Sequence, residues 1–383
     1  MKDYFGKPIK KLGFGLMRLP LVSKQPDSDI DLEQVKEMVD LYLERGFTYF
    51  DTAFVYNEGK SEEAFREAVA KRYSRDEFQV TTKLPLWQPL TYEEMTKFTQ
   101  ISLERMGLDY FDLYFLHGVG PDRLEMINEI GAWEYLKELK KTGKTKNIGF
   151  SYHGDAKTLN SILEKHAKDL DIIQIQANYL DWEDEKIQSR KCYEAVIKHG
   201  LGVIIMEPIK GGSLANFTPN IANIFKEANP EASIASWALR FPLSLPGVVV
   251  VLSGMSTLEQ VMDNTVVADK VVPLSKQEMK VIEKAMKELK KIPTIPCTKC
   301  GYCVADCPQK INTPRIIAIM NDYLTYNNLA SAKRMYDILI TGAFGGMAEP
   351  KASTCIECGS CEKHCPQQIK IIDIHKKIAE LFE

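Results

Sequence analysis

The sequence has no long hydrophobic run and almost no surplus of charge. Its longest apolar stretches, such as PGVVVVLSG, are strand-length and too short to span a bilayer. A formal charge of -3 on 383 residues gives no electrostatic case for nucleic acid or an anionic membrane. The start, MKDYFGKPIKK, has no apolar signal core, so no secreted disulfide framework is expected. No low-complexity tract or block of like charge occurs. The run Gly13-Phe14-Gly15-Leu16-Met17-Arg18 does not complete the G-x-G-x-x-G of a doubly wound dinucleotide fold. No flavin fingerprint is recognisable either. With 45% hydrophobic residues, a chain of this length has core enough for about two domains.

Cysteine is where the composition turns informative. Eight of the nine cysteines form two copies of C-x2-C-x2-C-x3-C-P. The first copy is Cys297, Cys300, Cys303 and Cys307-Pro308, and the second is Cys355, Cys358, Cys361 and Cys365-Pro366. This spacing wraps three thiolates around one [4Fe–4S] cube and lends the fourth to its neighbour. Zinc would use two C-x2-C knuckles and leave the third and fourth cysteine of each run without a task. With ligands crossed, one cube takes Cys297, Cys300, Cys303 and Cys365, and the other takes Cys355, Cys358, Cys361 and Cys307. Cluster assembly needs a reducing compartment, so a cytoplasmic protein is expected. Cys192 stands alone in a helical stretch and reads as a small packed side chain.

Up to about residue 290, short apolar runs alternate with amphipathic stretches. The runs are LGFGLM, FTYFDT, FQVTTK, DLYFLH, KNIGFS, DIIQIQ, GVIIME and GVVVVLS. Between them lie helical patterns over Asp31–Arg45, Ser61–Arg72, Tyr92–Met106, Trp133–Lys141, Ala156–His166 and Ala232–Arg240, with apolar residues three and four apart. Gly46, Gly107, Gly143 and Gly200 stand where helices end. Such strand-then-helix units predict an α/β fold, a closed (β/α)8 TIM barrel, with an open doubly wound sheet as the alternative. A lysine-rich helix from Ser275 to Lys290 follows, and Pro293 and Pro296 mark a linker. The expected domains are residues 1–292, the barrel, and 293–383, the cluster-bearing part. The stretch between the cysteine runs is too long for a two-hairpin ferredoxin. Helical patterns over Thr313–Asn321 and Leu329–Ile340 predict a small, mainly α-helical dicluster module instead.

Active groups of such a barrel come from the C-terminal ends of its strands. Asp51 closes the second strand run, Tyr56 follows in its loop, Lys83 closes the third and His117 the fourth. A free tyrosine titrates near pH 10, and a neighbouring ammonium lowers that value. A carboxylate keeps the lysine charged, and a histidine can hold a carbonyl oxygen in line with the phenol. The four together are equipped to protonate an alkoxide formed by hydride transfer to a carbonyl.

These motifs resemble the aldo/keto reductase family over residues 1 to about 290. The resemblance is carried by GFGLMRLP, FDTAFVYNEGKSEEAFREAV, TTKLP, SLERMGLDYFDLYFLHG, GKTKNIGFS, IQIQANYL and EPIKGGSL. It implies a catalytic tetrad of Asp51, Tyr56, Lys83 and His117, with Tyr56 as general acid and base. It also implies a small-molecule carbonyl substrate and a nicotinamide cofactor, NADP or NAD, extended across the barrel mouth. Cofactor contacts carry over to Gly15, Met17 and Arg18 after the first strand, and to Ser151 and Gln176 at the carboxamide. Met206 stands where an aromatic residue often stacks, followed by Pro208 and the backbone of Lys210, Gly211, Gly212 and Ser213 at the pyrophosphate. Ser256, Gln260, Asp263 and Asn264 match the adenosine positions of one large branch. The chain departs from the family pattern at Tyr152, where asparagine is common, and at Met206. Gly254 and Gln260 occupy the places of the basic pair that other members use for the 2′-phosphate, so NADP and NAD both stay open. The same segment, SGMSTLEQ, also reads as a capped helix start.

Hydride transfer moves two electrons together and a cluster passes one at a time. Three functions are compatible with both halves: a carbonyl reductase with an attached dicluster module that serves a redox partner protein, an electron-transfer protein whose barrel only binds nucleotide or a partner, and a plain reductase with structural clusters. Phe54, Trp87 and Tyr152 are candidates to line a substrate pocket. The loop GVGPDRLEMINEIGAW after His117 has no charge pattern that selects a substrate.

Overall fold

A computed structural model of the chain describes residues 3–23, 29–185, 187–343 and 346–383. Its strands are β1 (Leu12–Gly15), β2 (Tyr49–Asp51), β3 (Gln79–Pro85), β4 (Phe111–Val119), β5 (Thr145–Tyr152), β6 (Ile172–Gln176), β7 (Gly202–Met206) and β8 (Val248–Ser253). Each pairs in parallel with the next, and β8 returns to β1 to close the ring. The fold is therefore the closed barrel and not the open sheet. Between the strands run α1 (Leu32–Glu44), α2 (Lys60–Phe65), α3 (Tyr92–Met106), α4 (Leu124–Glu129), α5 (Ala132–Lys141), α6 (Ala156–His166), α7 (Ser189–Lys198), α8 (Pro219–Ala228) and α9 (Ile234–Leu243). Two more, α10 (Leu258–Asp269) and α11 (Lys276–Leu289), follow β8.

Local chemistry accounts for these elements. The Asp31 side chain caps α1, which buries Val35, Met38, Val39 and Tyr42 on one face. The Tyr42 hydroxyl then donates to the carbonyls of Leu12 and Tyr49, both at 2.8 Å, and so ties α1 to β1 and β2. Thr91 and Glu94 form a capping box at the start of α3, and Gly107 ends that helix with a φ of +65°. The helix expected over Ser61–Arg72 is not uniform: α2 stops at Phe65 and a wider turn covers Arg66–Ala70. That widening keeps both Ala68 and Val69 buried.

Successive side chains of a strand point to opposite faces, and this period decides what fills the barrel. Tyr49, Leu113, Phe115, Ile172, Ile204, Val250 and Leu252 form one buried cluster. Their strand neighbours Phe50, Tyr114, Leu116, Ile173, Val203, Ile205 and Val251 belong to a second cluster shared with the helices. The inward set continues by steps of two residues to Asp51, His117, Gln174, Gln176 and Met206, all toward the C-terminal strand ends. In β3, Thr81 hydrogen-bonds Tyr49 in the interior and Lys83 lies two residues beyond it. Polar residues thus close the barrel on the side where the apolar layers stop.

The chain divides into two compact units. One comprises the residues up to Lys210 together with Ala235–Ser275, and the other Gly211–Ile234 with Lys276–Glu383. The second holds α8, α11, α12 (Tyr302–Ala305), α13 (Thr313–Tyr326), α14 (Leu329–Thr341), α15 (Ser360–Lys363) and α16 (Ile371–Phe382), with no strand among its described residues. Ile316, Met320, Tyr336, Leu339, Ile378 and Phe382 build its core. The Tyr336 hydroxyl donates to the Glu383 carboxylate at 2.6 Å and accepts from the Ala352 amide at 2.6 Å. Among the described residues, no helix is long and apolar enough to cross a membrane.

Candidate active site and cluster-binding cysteines

At the C-terminal end of the barrel, Lys83 Nζ donates to Asp51 Oδ1 at 2.6 Å and to the Thr52 carbonyl at 2.7 Å. Both side chains are buried, with Lys83 only 1% exposed. The Gln174 amide donates to the other Asp51 oxygen at 3.4 Å. Burial works against the charge on Lys83, but Asp51 and Tyr56 outweigh it and hold the ammonium above the usual lysine range. Tyr56 opens a tight turn, Tyr56–Gly59, that delivers its ring over the lysine, with Nζ 5.1 Å from the ring centre. The His117 ring meets Tyr56 edge-on, with centroids 5.7 Å apart. Burial, and then the charges of Lys83, His153 and Arg123, hold His117 well below the ordinary histidine range. The imidazole is therefore neutral near pH 7, and its Nδ1 is buried with no hydrogen-bond partner among the described residues.

The aromatic candidates separate cleanly. Trp87 lies 4.9 Å from the His117 ring. Phe54 packs on Phe98 and under the Arg105 guanidinium, and the Tyr152 hydroxyl donates to the Asp155 carbonyl from a buried position. Arg123, which the sequence pattern did not single out, stacks over Trp87 at 4.7 Å and donates to the Gly118 carbonyl. Nothing in the spacing of that loop gives it away, because the contact is made with a tryptophan from another loop. Gln174 was legible: it sits two residues before Gln176 on the same inward face.

The expected cofactor positions are partly committed to the protein itself. The Ser151 hydroxyl accepts from the Gly118 amide at 2.9 Å. Gln176 donates to Asp181 at 3.2 Å, and Lys210 pairs with the same carboxylate at 2.8 Å. Asp181 and its partner Asn178, both buried, thus organise a polar knot that no sequence argument had assigned. Met206 ends β7, and Pro208 is buried just beyond it. Gly211 and Gly212 follow with φ of +64° and +93°, a backbone shape that glycine adopts freely. The Ser256 hydroxyl donates to the Arg18 carbonyl at 2.6 Å, and Gln260 accepts from the Ser256 amide at 2.7 Å. Buried Asn264 donates to Ser253 at 3.0 Å. Thr257 caps α10, so the segment is a capped helix start. Asp263 projects from the same helix, while Gly15 and Met17 flank the end of β1.

In the second unit the thiols gather around two hollows. Cys297, Cys300, Cys303 and Cys365 line the first; Cys307, Cys355, Cys358 and Cys361 line the second. The grouping crosses between the two runs, and every cysteine is a free thiol. No three metal-ligating side chains of the described residues converge on a single-ion point; the sulfurs surround a space instead. Backbone conformation repeats as well. Lys299 and Gly301 in the first run have positive φ, as do Glu357 and Gly359 in the second, and Lys310 and Gln368 match beyond each Cys-Pro. Turns with residues of positive φ are of the kind whose backbone N–H groups form anion-binding concavities. Burial, with Cys355 adding, pushes the Cys361 thiol up to about 11, so metal binding there must release a proton. His375, buried beside the second hollow, is held down to about 4 by burial.

Comparison with known proteins agrees with both halves. Residues 11–287 match the aldo/keto reductase family model, and residues 296–369 match the 4Fe-4S dicluster domain. The uncharacterized oxidoreductase YqkF of Bacillus subtilis is 23% identical over 311 residues, which span 73% of this chain and 94% of that protein. An aldo-keto reductase of Mycolicibacterium vanbaalenii is 29% identical, spanning 63% of this chain and 79% of its own length. Among solved structures, aldo-keto reductase AKR11C1 from Bacillus halodurans superimposes with a TM-score of 0.58 at 24% identity, covering 72% of this chain and 92% of that one. An aldo/keto reductase from Klebsiella pneumoniae, in complex with NADP and acetate, gives 0.57 at 20% identity, covering 72% and 91%. With the family model spanning well over half of its length, the chain belongs to the aldo/keto reductase family of oxidoreductases and carries a 4Fe-4S dicluster domain after its barrel.

Proposed function

We propose that the barrel reduces an aldehyde or ketone to the alcohol with NADPH or NADH, and that the dicluster part exchanges single electrons with a redox partner protein in the cytoplasm. The observation that carries the reading is the buried Lys83 ammonium, which touches Asp51 on one side and the Tyr56 ring on the other. The nicotinamide, when bound, supplies hydride to the carbonyl carbon. Everything else falls to this chain's own residues. Tyr56 gives its hydroxyl proton to the carbonyl oxygen as negative charge develops there. Lys83 stabilises the phenolate left behind, and Asp51, oriented by Gln174, keeps the lysine protonated. Neutral His117 holds the carbonyl oxygen against the phenol, and Trp87 walls that side from water.

NADP use is supported by the Klebsiella relative, whose complex contains it. The eight cysteines would hold the two clusters in the crossed sets that line the hollows. Anaerobic purification with iron and sulfide counting, followed by NAD(P)H oxidation against a panel of carbonyl compounds, tests both halves. Tyr56→Phe is expected to lower carbonyl-dependent turnover by at least about 100-fold while nucleotide binding persists. Turnover equal to the parent's would defeat the assignment.

A further inference from the structure

The two cysteine runs lie 58 residues apart, and the chain that follows each repeats at the same offset. Thr313 and Ile317 near the start of α13 correspond in this way to Ile371 and His375 in α16. The hollows share their cysteines, prolines and positive-φ turns but differ here. Ile317 lines the first hollow, and His375 lines the second where an isoleucine would repeat the pattern. Thr313 lines both hollows. Its Oγ1 lies 3.1 Å from His375 Nε2 and within hydrogen-bonding reach of the Cys303 sulfur. His375 Nδ1 is buried and has no hydrogen-bond partner among the described residues.

A buried ring nitrogen without a partner is a cost that folded proteins avoid. A thiolate-ligated cluster is an anionic acceptor able to remove it. Counting protons decides the direction. The hydroxyl and a neutral imidazole bring two protons to three places: between the Cys303 sulfur and Oγ1, between Oγ1 and Nε2, and at Nδ1, for which the described residues supply no partner. Imidazole N–H is a stronger acid than an alcohol, and an imidazole nitrogen is a stronger base than a hydroxyl oxygen. The N–H therefore goes to the anion and the hydroxyl donates to Nε2.

We propose that His375 donates its Nδ1–H to the cluster held by Cys307, Cys355, Cys358 and Cys361 and raises that cluster's reduction potential, with Thr313 fixing the tautomer. The inference rests on the proposed loading of both hollows. Reduction adds negative charge to the cluster sulfurs, so a donor aimed at them favours the reduced form. The bridge gives chemically different settings to two sites with the same cysteine spacing, which fits the passing of single electrons between them.

The experiment is a reductive titration of the full chain, purified anaerobically with iron and sulfide counted, and followed by electron paramagnetic resonance. His375→Ile, which copies the first hollow, is expected to lower one of the two reduction waves by about tenfold in reduced fraction at fixed potential, close to 59 mV for one electron. His375→Asn keeps an N–H at the Nδ1 position and should leave the wave near its original place. His375→Gln moves the N–H toward the Nε2 position and should not. Thr313→Val, which frees the tautomer, should give a smaller shift of the same wave. Fully loaded H375I with both waves unmoved would overturn the proposal. So would both waves moving together, or equal shifts in H375N and H375Q. That last comparison decides the matter even where H375I loses iron. Parent protein without iron and sulfide would instead overturn the loading of the hollows.

Discussion

A lysine buried as deeply as Lys83 keeps its charge because Asp51 and Tyr56 share its surroundings, while the Thr52 carbonyl accepts a hydrogen bond from a second N–H of the ammonium. Asp51→Asn removes the carboxylate and leaves the burial, so the lysine loses its proton at a lower pH. Activity is expected to fall about 100-fold, and the alkaline limb of kcat against pH should move to lower pH; an unmoved limb would refute the pairing. His117 works in the opposite sense. Burial, and then the neighbouring Lys83, His153 and Arg123, lower its folded-state value, so between that value and about pH 6.5 the unfolded chain binds a proton that the native chain does not. Native stability should therefore decline as pH drops below about 6.5. Nuclear magnetic resonance of the His117 ring should show no protonation at that pH, whereas titration at an ordinary value would contradict the packing. Asp51, Lys83 and His117 were legible as polar residues at the ends of apolar runs. Arg123 and Asp181 were not, since each acts through a partner brought from another loop.

The strands show how far a two-residue period reaches. Once Tyr49, Leu113 and Phe115 point inward, Asp51 and His117 must follow on the same face. Close approach between strands sets a further demand that the period does not reveal. A Cβ built on Gly149 would stand 1.7 Å from the Ile172 carbonyl oxygen, an atom fixed in the β5–β6 pairing. Gly149→Ala is expected to destabilise the barrel by about 3 kcal/mol and to lower the melting temperature by several degrees; an unchanged melting curve would show that the strands can part there. Helix boundaries were read within a few residues because caps and glycine stops are local, as Thr91, Glu94 and Gly107 illustrate around α3. The wide turn at Arg66–Ala70 was invisible, since burial of Ala68 and Val69 against the rest of the unit selects it.

For the molecule as a whole, the barrel and the cysteine-bearing region rest on different stabilising principles. The barrel has an extensive apolar core of its own. The cysteine region buries less, and its second cluster of packed residues includes Cys303 and Cys361 themselves. Removing iron with a chelator under anaerobic, reducing conditions should loosen residues 297–311 and 355–369 to proteolysis. Cleavage there with intact barrel fragments is the expected pattern, and full resistance after iron loss would show that the thiols are held without metal. The sequence alone carried the family's motifs, the (β/α)8 order and the two cysteine runs, because each is written along a short stretch of chain: contiguous motif residues, runs of two-residue period, helices of three-to-four period, and C-x2-C-x2-C-x3-C-P. Only the tertiary structure decided that Trp87 and Arg123 flank His117, that Lys210 and Gln176 converge on Asp181, and that Thr313 meets His375 between the hollows. Those meetings join residues distant in sequence, and a side chain's partner across such a gap is fixed by how the strands close and the helices pack, not by its neighbours along the chain.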